Sequence, residues 1–245
     1  MKQLMTQPNF DLDKIKFSVD EGTFKRAVGL YENGRVTNFH DNGFTYTATV
    51  LGTRPYQVIV SHRGYDRGQC NCYLGQRDTL CKHMVATAIY AIKKGKTLSS
   101  QDKKQITSPS CGCKLGQLND SDLIQIKKKI TQAMRYIKPY RGPSKTWFAY
   151  QDSLYEGCCR LSFLVSQLPV SQQTAKLLVN ILIRLDNKIV GSVDDSDGTV
   201  GGFIEETVDV LIQFAKLDPS CVVAFKKLQD RQTCFGWQEP LLQLS

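Results

Sequence analysis

Three cysteines and a histidine stand close together in this chain: Cys70, Cys72, Cys81 and His83, in the order Cys-x-Cys, eight residues, Cys-x-His. Thiolate sulfur and imidazole nitrogen are the donors that zinc takes in closed tetrahedral sites. On a strand, residues two apart face the same way, so Cys70 and Cys72 can present both sulfurs to one ion. On a helix, residues two apart diverge by about 200°, so Cys81 and His83 cannot both lie inside one. The spacing therefore places Cys81 in a turn ahead of a helix and His83 in that helix's first turn. The positive helix end there favours the thiolate form. Four protein donors leave no position for water, so the expected ion is one structural Zn2+ rather than a hydrolytic one. Ion and thiolates together carry a net negative charge, which Lys82, Arg77 and Arg67 can offset. The competing reading is core cysteines beside an unrelated histidine, since free cysteine is often buried. His62, the other histidine nearby, reads as a strand-surface residue.

The remaining cysteines form no such pattern. Cys111-Gly112-Cys113-Lys114 repeats Cys-x-Cys without a following Cys-x-His. Cys158-Cys159 could complete a four-thiolate site with it, although neighbours on a helix point about 100° apart. A redox or regulatory thiol pair and an ordinary linker are the other readings. Cys221 and Cys234 read as lone core residues. The acidic stretch 194–198 (Asp-Asp-Ser-Asp-Gly) fails as a calcium loop. With Gly198 at its sixth position, the first ligand would fall on Val193. No phosphate-binding Gly-Lys-Ser/Thr loop, no Gly-x-Ser-x-Gly and no unligated Cys–His partnership is present, so no enzyme is expected.

Charge is unevenly placed. Residues 1–100 carry a net +6, residues 101–150 a net +7 and residues 151–245 a net −4. A basic front half favours an acidic partner such as nucleic acid there; the plainer reading is a solvated surface. The segment 138–147 (Lys-Pro-Tyr-Arg-Gly-Pro-Ser-Lys-Thr-Trp) interleaves basic and aromatic residues, which suits phosphate contact with base stacking. Its alternative is a linker packing Trp147 into a helical domain. No apolar run approaches the roughly 18 residues of a membrane span. Met1-Lys2-Gln3-Leu4-Met5 shows no signal-peptide pattern. The expectation is a protein that is not secreted and not membrane-bound, in the cytoplasm or a eukaryotic nucleus, where thiols stay reduced.

Periodicity supplies the elements that must hold the cluster. Ile15, Phe17 and Val19 alternate, which predicts a short strand over 14–19. Phe24, Ala27, Val28 and Tyr31 form a helical stripe that Asn33-Gly34 can stop. Strands follow over 36–40, 44–50 and 56–60, the first two joined by the turn Asp41-Asn42-Gly43. A further strand, after Gly64 and Gly68, ends in Cys70-Asn71-Cys72. A helix from Lys82 carries Val85, Ala88, Ile89 and Ile92 and stops at Gly95. Residues 97–117 read as a linker. Asn119 can cap a helix bearing Leu123, Ile126, Ile130, Met134 and Ile137, and further helices fit 154–165, 172–189, 203–217 and 222–228. The fold class is α+β: a small antiparallel β-meander plus helix closed by one zinc over 1–96, then an all-α bundle or short solenoid over 118–245.

The metal motif with its lead-in resembles the SWIM zinc finger family. Beyond the four ligands, the similarity lies in Phe24-Lys25-Arg26-Ala27, Leu30-Tyr31, Gly34-Arg35-Val36, the Tyr56-x-Val58-x-Val60 strand, and the small and aliphatic residues after Cys81-Lys82-His83. It covers residues 20–95, and Tyr73 stands where a proline is common. The resemblance implies a DNA- or protein-binding module without catalysis. Two functions follow as expectations. The first is nucleic-acid binding, DNA ahead of RNA, with Arg63, Arg67, Arg77 and Lys82 on phosphates. The second is a protein-interaction adaptor that docks through its helical half.

Overall fold

The structure is a computed structural model that describes residues 7–244, so the reading of Met1 to Met5 lies outside the described residues. The chain divides into two compact units, Met1–Gln105 and Ile106–Ser245.

The first unit begins with α1 (Leu12–Ser18) and α2 (Glu21–Glu32). The strand predicted over 14–19 is thus a helix. Asp11 caps it, its side chain accepting from the Lys14 N–H. Ile15, Phe17 and Val19 are all buried, but so is Lys16. The Lys16 ammonium lies 3.0 Å from Asp13 and 4.8 Å from the Phe17 ring centroid. A short helix enclosed on most sides shows no amphipathic stripe, and its apolar positions imitate strand alternation. The helical stripe of α2 appears as expected, with Phe24, Ala27, Val28 and Tyr31 buried.

Four strands follow: β1 (Val36–Asp41), β2 (Thr45–Leu51), β3 (Pro55–Ser61) and β4 (Gly64–Cys70). They pair antiparallel in chain order β1-β2-β3-β4, as short connections require. The Asn42 carboxamide oxygen accepts from the Phe44 and Thr45 N–H groups and closes the first turn, where Gly43 takes φ 88°. Tyr46, Ala48, Val50, Val58 and Val60 point to the buried face, while Ile59 points outward. Against that face packs α3 (Lys82–Lys93), which also packs on α2. It is buried continuously from His83 to Ile89, so it forms the centre of this unit. Lys94 and Gly95, both at positive φ, end it. A one-turn helix, α4 (Ser100–Lys103), is closed by a reciprocal capping box between Ser99 and Asp102.

The second unit is helical: α5 (Asp120–Ala133), α6 (Trp147–Val165), α7 (Gln172–Val190), α8 (Thr199–Leu217), a 3-10 segment (Pro219–Leu228) and α9 (Glu239–Leu242). One cluster of buried side chains, including Leu154, Leu161, Leu178, Leu182, Leu211, Phe214 and Phe225, joins these elements. Asn119 caps α5 by accepting from the Asp122 N–H at 2.8 Å. Residues 97–117, read as a linker, are divided between the units. Leu98 is buried in the first core. In the second unit, Ser110 donates its N–H to Ser166 Oγ, and Lys114 O accepts from the Val170 N–H. Mixed helix and antiparallel sheet make the chain α+β. Among the described residues, no helix is long and apolar enough to cross a membrane.

Candidate metal centre

Two local structures carry the four donors. Gly68 allows β4 to reach Cys70 because any side chain there would strike the Ile59 carbonyl of β3. Cys70 pairs with Val58 as the last residue of β4. Cys72 was expected on the same strand, but it lies in the bend beyond it. The ladder ends at Asn71, whose side chain takes over by accepting from the Gln57 N–H. The chain then makes a 3-10 turn (Gly75–Arg77) and returns to Cys81. Cys81 is the N-cap of α3, extended at φ −122° and ψ 159°, and His83 is the second residue of that helix. The strand-end and helix-start placement of Cys70, Cys81 and His83 follows the expectation from their spacing.

All four residues are buried, and one ligand atom of each lies within 4.8 Å of the others. Among the described residues this is the one group of three or more such side chains gathered so closely. His83 Nδ1 is 3.8 Å from both Cys70 Sγ and Cys81 Sγ. Sulfur and nitrogen on a shared tetrahedral zinc stand about 3.6 Å apart, given Zn–S near 2.3 Å and Zn–N near 2.0–2.1 Å. His83, Cys70 and Cys81 therefore sit near the spacing of a shared coordination sphere, and the cluster of four could hold one metal ion.

Local electrostatics favour thiolate at Cys81. The Gly75 N–H donates to Cys72 Sγ at 3.3 Å, which ties the turn to that sulfur. A hydrogen bond from Cys70 brings the Cys81 thiol down to about 4 against burial, with help from His83 and the Met84 N–H at the helix start. The same shared proton pushes Cys70 up, and burial adds to it. An unscreened pair of neighbouring sulfurs keeps one proton between them. A dication in their midst would release it.

Several supporting residues are not apparent from the motif alone. A side chain at Gly75 would place its Cβ 2.6 Å from Cys70 Cβ and against the Cys70 carbonyl. The turn over the cluster thus needs glycine there. The Tyr56 ring stacks on His83 at 4.2 Å and 24°, and Gly52 leaves room for both rings. His83 Nε2 is buried without a protein hydrogen-bond partner, so stacking rather than an acceptor orients the imidazole. Arg54 lies 5.5 Å from the Tyr56 ring centroid and reaches toward Asn71 O. It adds a cation beside the cluster that the spacing of the motif does not reveal.

Of the four residues proposed for phosphate contact, Arg63, Arg67 and Arg77 are exposed and Lys82 is half-buried. Arg77 lies 4.1 Å over the exposed Tyr73 ring. His62 is not on the surface as expected. It is buried, stacked on Tyr46 at 3.9 Å, with Nε2 2.7 Å from Asp41 Oδ1.

In the second unit, the four-thiolate alternative does not assemble. Cys158 and Cys159 are buried in α6, and no cluster joins them to Cys111 and Cys113. Burial pushes both α6 thiols up, Cys159 to about 11, which leaves them inert. Cys221 is a core residue as expected, but Cys234 is exposed. Trp147 begins α6 and donates to Asp194 at 3.0 Å, so the 138–147 segment ends packed into the helical unit. In the acidic turn, Asp195 accepts from the Val200 and Gly201 N–H groups and starts α8. No family model, no curated protein and no solved structure matches this chain.

Proposed function

We propose that the first unit is a zinc-binding module of SWIM type that binds nucleic acid and does no chemistry of its own. The observation that carries this reading is the set of four buried donors, three sulfurs and one nitrogen, gathered from a strand end and a helix start. Zn2+ suits that set, and a closed tetrahedron leaves no site for a reacting water. The ion's role is to fix the sheet-to-helix corner. Its thiolates need a reducing compartment, the cytoplasm or a nucleus.

Arg63, Arg67, Arg77 and Lys82 flank that corner in sequence, and the first three are solvent-exposed. They are the groups we assign to phosphate, with DNA ahead of RNA. Binding to single- and double-stranded DNA and RNA, measured across salt concentrations with and without chelator, tests the assignment. The log of affinity should fall with log salt by about 0.9 per phosphate neutralised. Arg67→Ala should reduce that slope by about 1. Binding that ignores ionic strength, or none at moderate salt, contradicts it.

A second reading, an adaptor that docks proteins through the helical unit, is supported by Phe148 and Tyr155. They lie seven residues apart on one face of α6, 76% and 44% exposed. A protein partner retained at high salt, and lost in Phe148→Ser, would favour that reading over the first.

A further inference from the structure

We propose that Cys111 and Cys113 form a dithiol–disulfide exchange site, independent of the metal cluster. The two sulfurs lie 3.6 Å apart, in van der Waals contact, with one glycine between the residues. The segment that carries them is anchored on both sides within the helical unit. Ahead of the pair, Ser110 donates from both its N–H and its hydroxyl to Ser166 Oγ, each at 3.0 Å. Behind it, Lys114 O accepts from the Val170 N–H at 2.7 Å, and the Gly116 N–H donates to Val170 O at 3.2 Å. Gly112 passes so close to the end of α6 that a Cβ there would stand 3.3 Å from Ser166 O. Cys113 takes a left-handed backbone, φ 51°, and its N–H lies 3.3 Å from Cys111 Sγ. The fold therefore holds the sulfurs together, 3.6 Å apart, instead of leaving them to a mobile tether, and disulfide formation must close that gap to roughly 2.05 Å.

The two thiols differ as attacking and resolving groups should. Cys113 is exposed, whereas Cys111 is half-buried, and burial pushes its thiol up. The co-reactant is a low-molecular-weight disulfide. The Cys113 thiolate attacks one of its sulfurs, that S–S bond breaks, and the first small thiolate leaves and takes a proton from water. Cys111 then loses its proton and attacks Cys113 Sγ. The mixed S–S bond breaks, and the second small thiol leaves. Two protein thiols have lost two electrons and two protons, and the small disulfide has become two thiols.

The probe is oxidised glutathione, added to the full metal-loaded chain, followed by alkylation and tryptic mass spectrometry. Cleavage after Lys104 and Lys114 yields one peptide, residues 105–114, that contains Cys111 and Cys113 and no other cysteine. The expected result is a peptide lighter by two hydrogens and closed to alkylation, restored by dithiothreitol. Cys111→Ser should instead accumulate a glutathione adduct on Cys113. Cys113→Ser should react about tenfold or more slowly, because the remaining thiol is withheld by burial. Far-UV circular dichroism of both variants establishes that the helices persist. Two cysteines that stay open to alkylation in excess oxidised glutathione, or that each carry a separate adduct, would overturn the proposal.

Discussion

The same residue type meets two different fates in the two units of this chain. In the first, Cys70, Cys72 and Cys81 converge with His83 on one buried point. In the second, Cys158 and Cys221 lie among apolar side chains, Cys159 is buried beside Tyr155, and Cys111, Cys113 and Cys234 stay at or near the surface. The contrast extends to what closes each structure. Between Cys72 and Cys81 no side chain is buried, and Tyr73 and Leu74 are exposed. Leu80 alone of that loop packs against the core, so apolar burial there is slight, and the proposed ion would tie down its two ends. In α7, by contrast, Leu177, Leu178, Val179, Ile181, Leu182, Ile183 and Leu185 are all buried, so hydrophobic packing holds the helix in place, with Asp186 bonded to Trp237 beside it. Both units have an apolar core, but on the proposed reading the first also needs coordination at its sheet-to-helix corner.

Breaking each kind of closure separately should affect one unit and spare the other. The largest effect belongs to the metal. Cys81→Ser or His83→Ala, or removal of the ion by a strong chelator, should unfold the first unit, since structural zinc supplies on the order of 10 kcal/mol in small domains. Circular dichroism should lose the strand contribution and keep most of the helical signal. Next comes Phe214→Ala, which empties a fully buried site in the helical core and should cost about 3–5 kcal/mol. Thermal melting of the second unit should shift down with bound metal per chain unchanged. Gly75→Ala sharpens the comparison without removing a ligand. By forcing the turn away from Cys70 it should weaken metal retention about 10- to 100-fold, read by competition with a chromophoric chelator. The smallest change is Asn119→Ala, which deletes the cap of α5 and should cost about 1 kcal/mol, visible only in denaturant titration of the helical unit.

Much of this arrangement is legible from residue spacing because its causes are local. Asn33-Gly34, Asp41-Asn42-Gly43 and Asn119 act within a few residues of themselves, and the structure places a helix end, a turn and a cap at them. The position of Cys81 ahead of α3 and His83 inside it follows from helix geometry alone. What spacing does not reveal depends on distant partners. Alternation in 14–19 concealed a helix because a buried lysine, held by Asp13, breaks the usual amphipathic stripe. Cys72 leaves the strand because the Asn71 side chain ends the ladder. His62, in the turn between β3 and β4, is buried against Tyr46 of β2 and Asp41 of β1. The need for Gly75 is visible only once the turn is seen to cross Cys70. The 3-10 form of Pro219–Leu228, which packs against α7 and α8, is likewise not visible in its apolar spacing, which also fits an α-helix.

Everything proposed for the first unit rests on an ion held by Cys70, Cys72, Cys81 and His83. Elemental analysis of protein purified without added metal, paired with X-ray absorption at the zinc edge, tests this most directly. The account predicts one zinc per chain in a shell of three sulfurs near 2.3 Å and one nitrogen near 2.0–2.1 Å. Clearly less than one metal ion per folded chain, or a shell of oxygen and nitrogen alone, would contradict it.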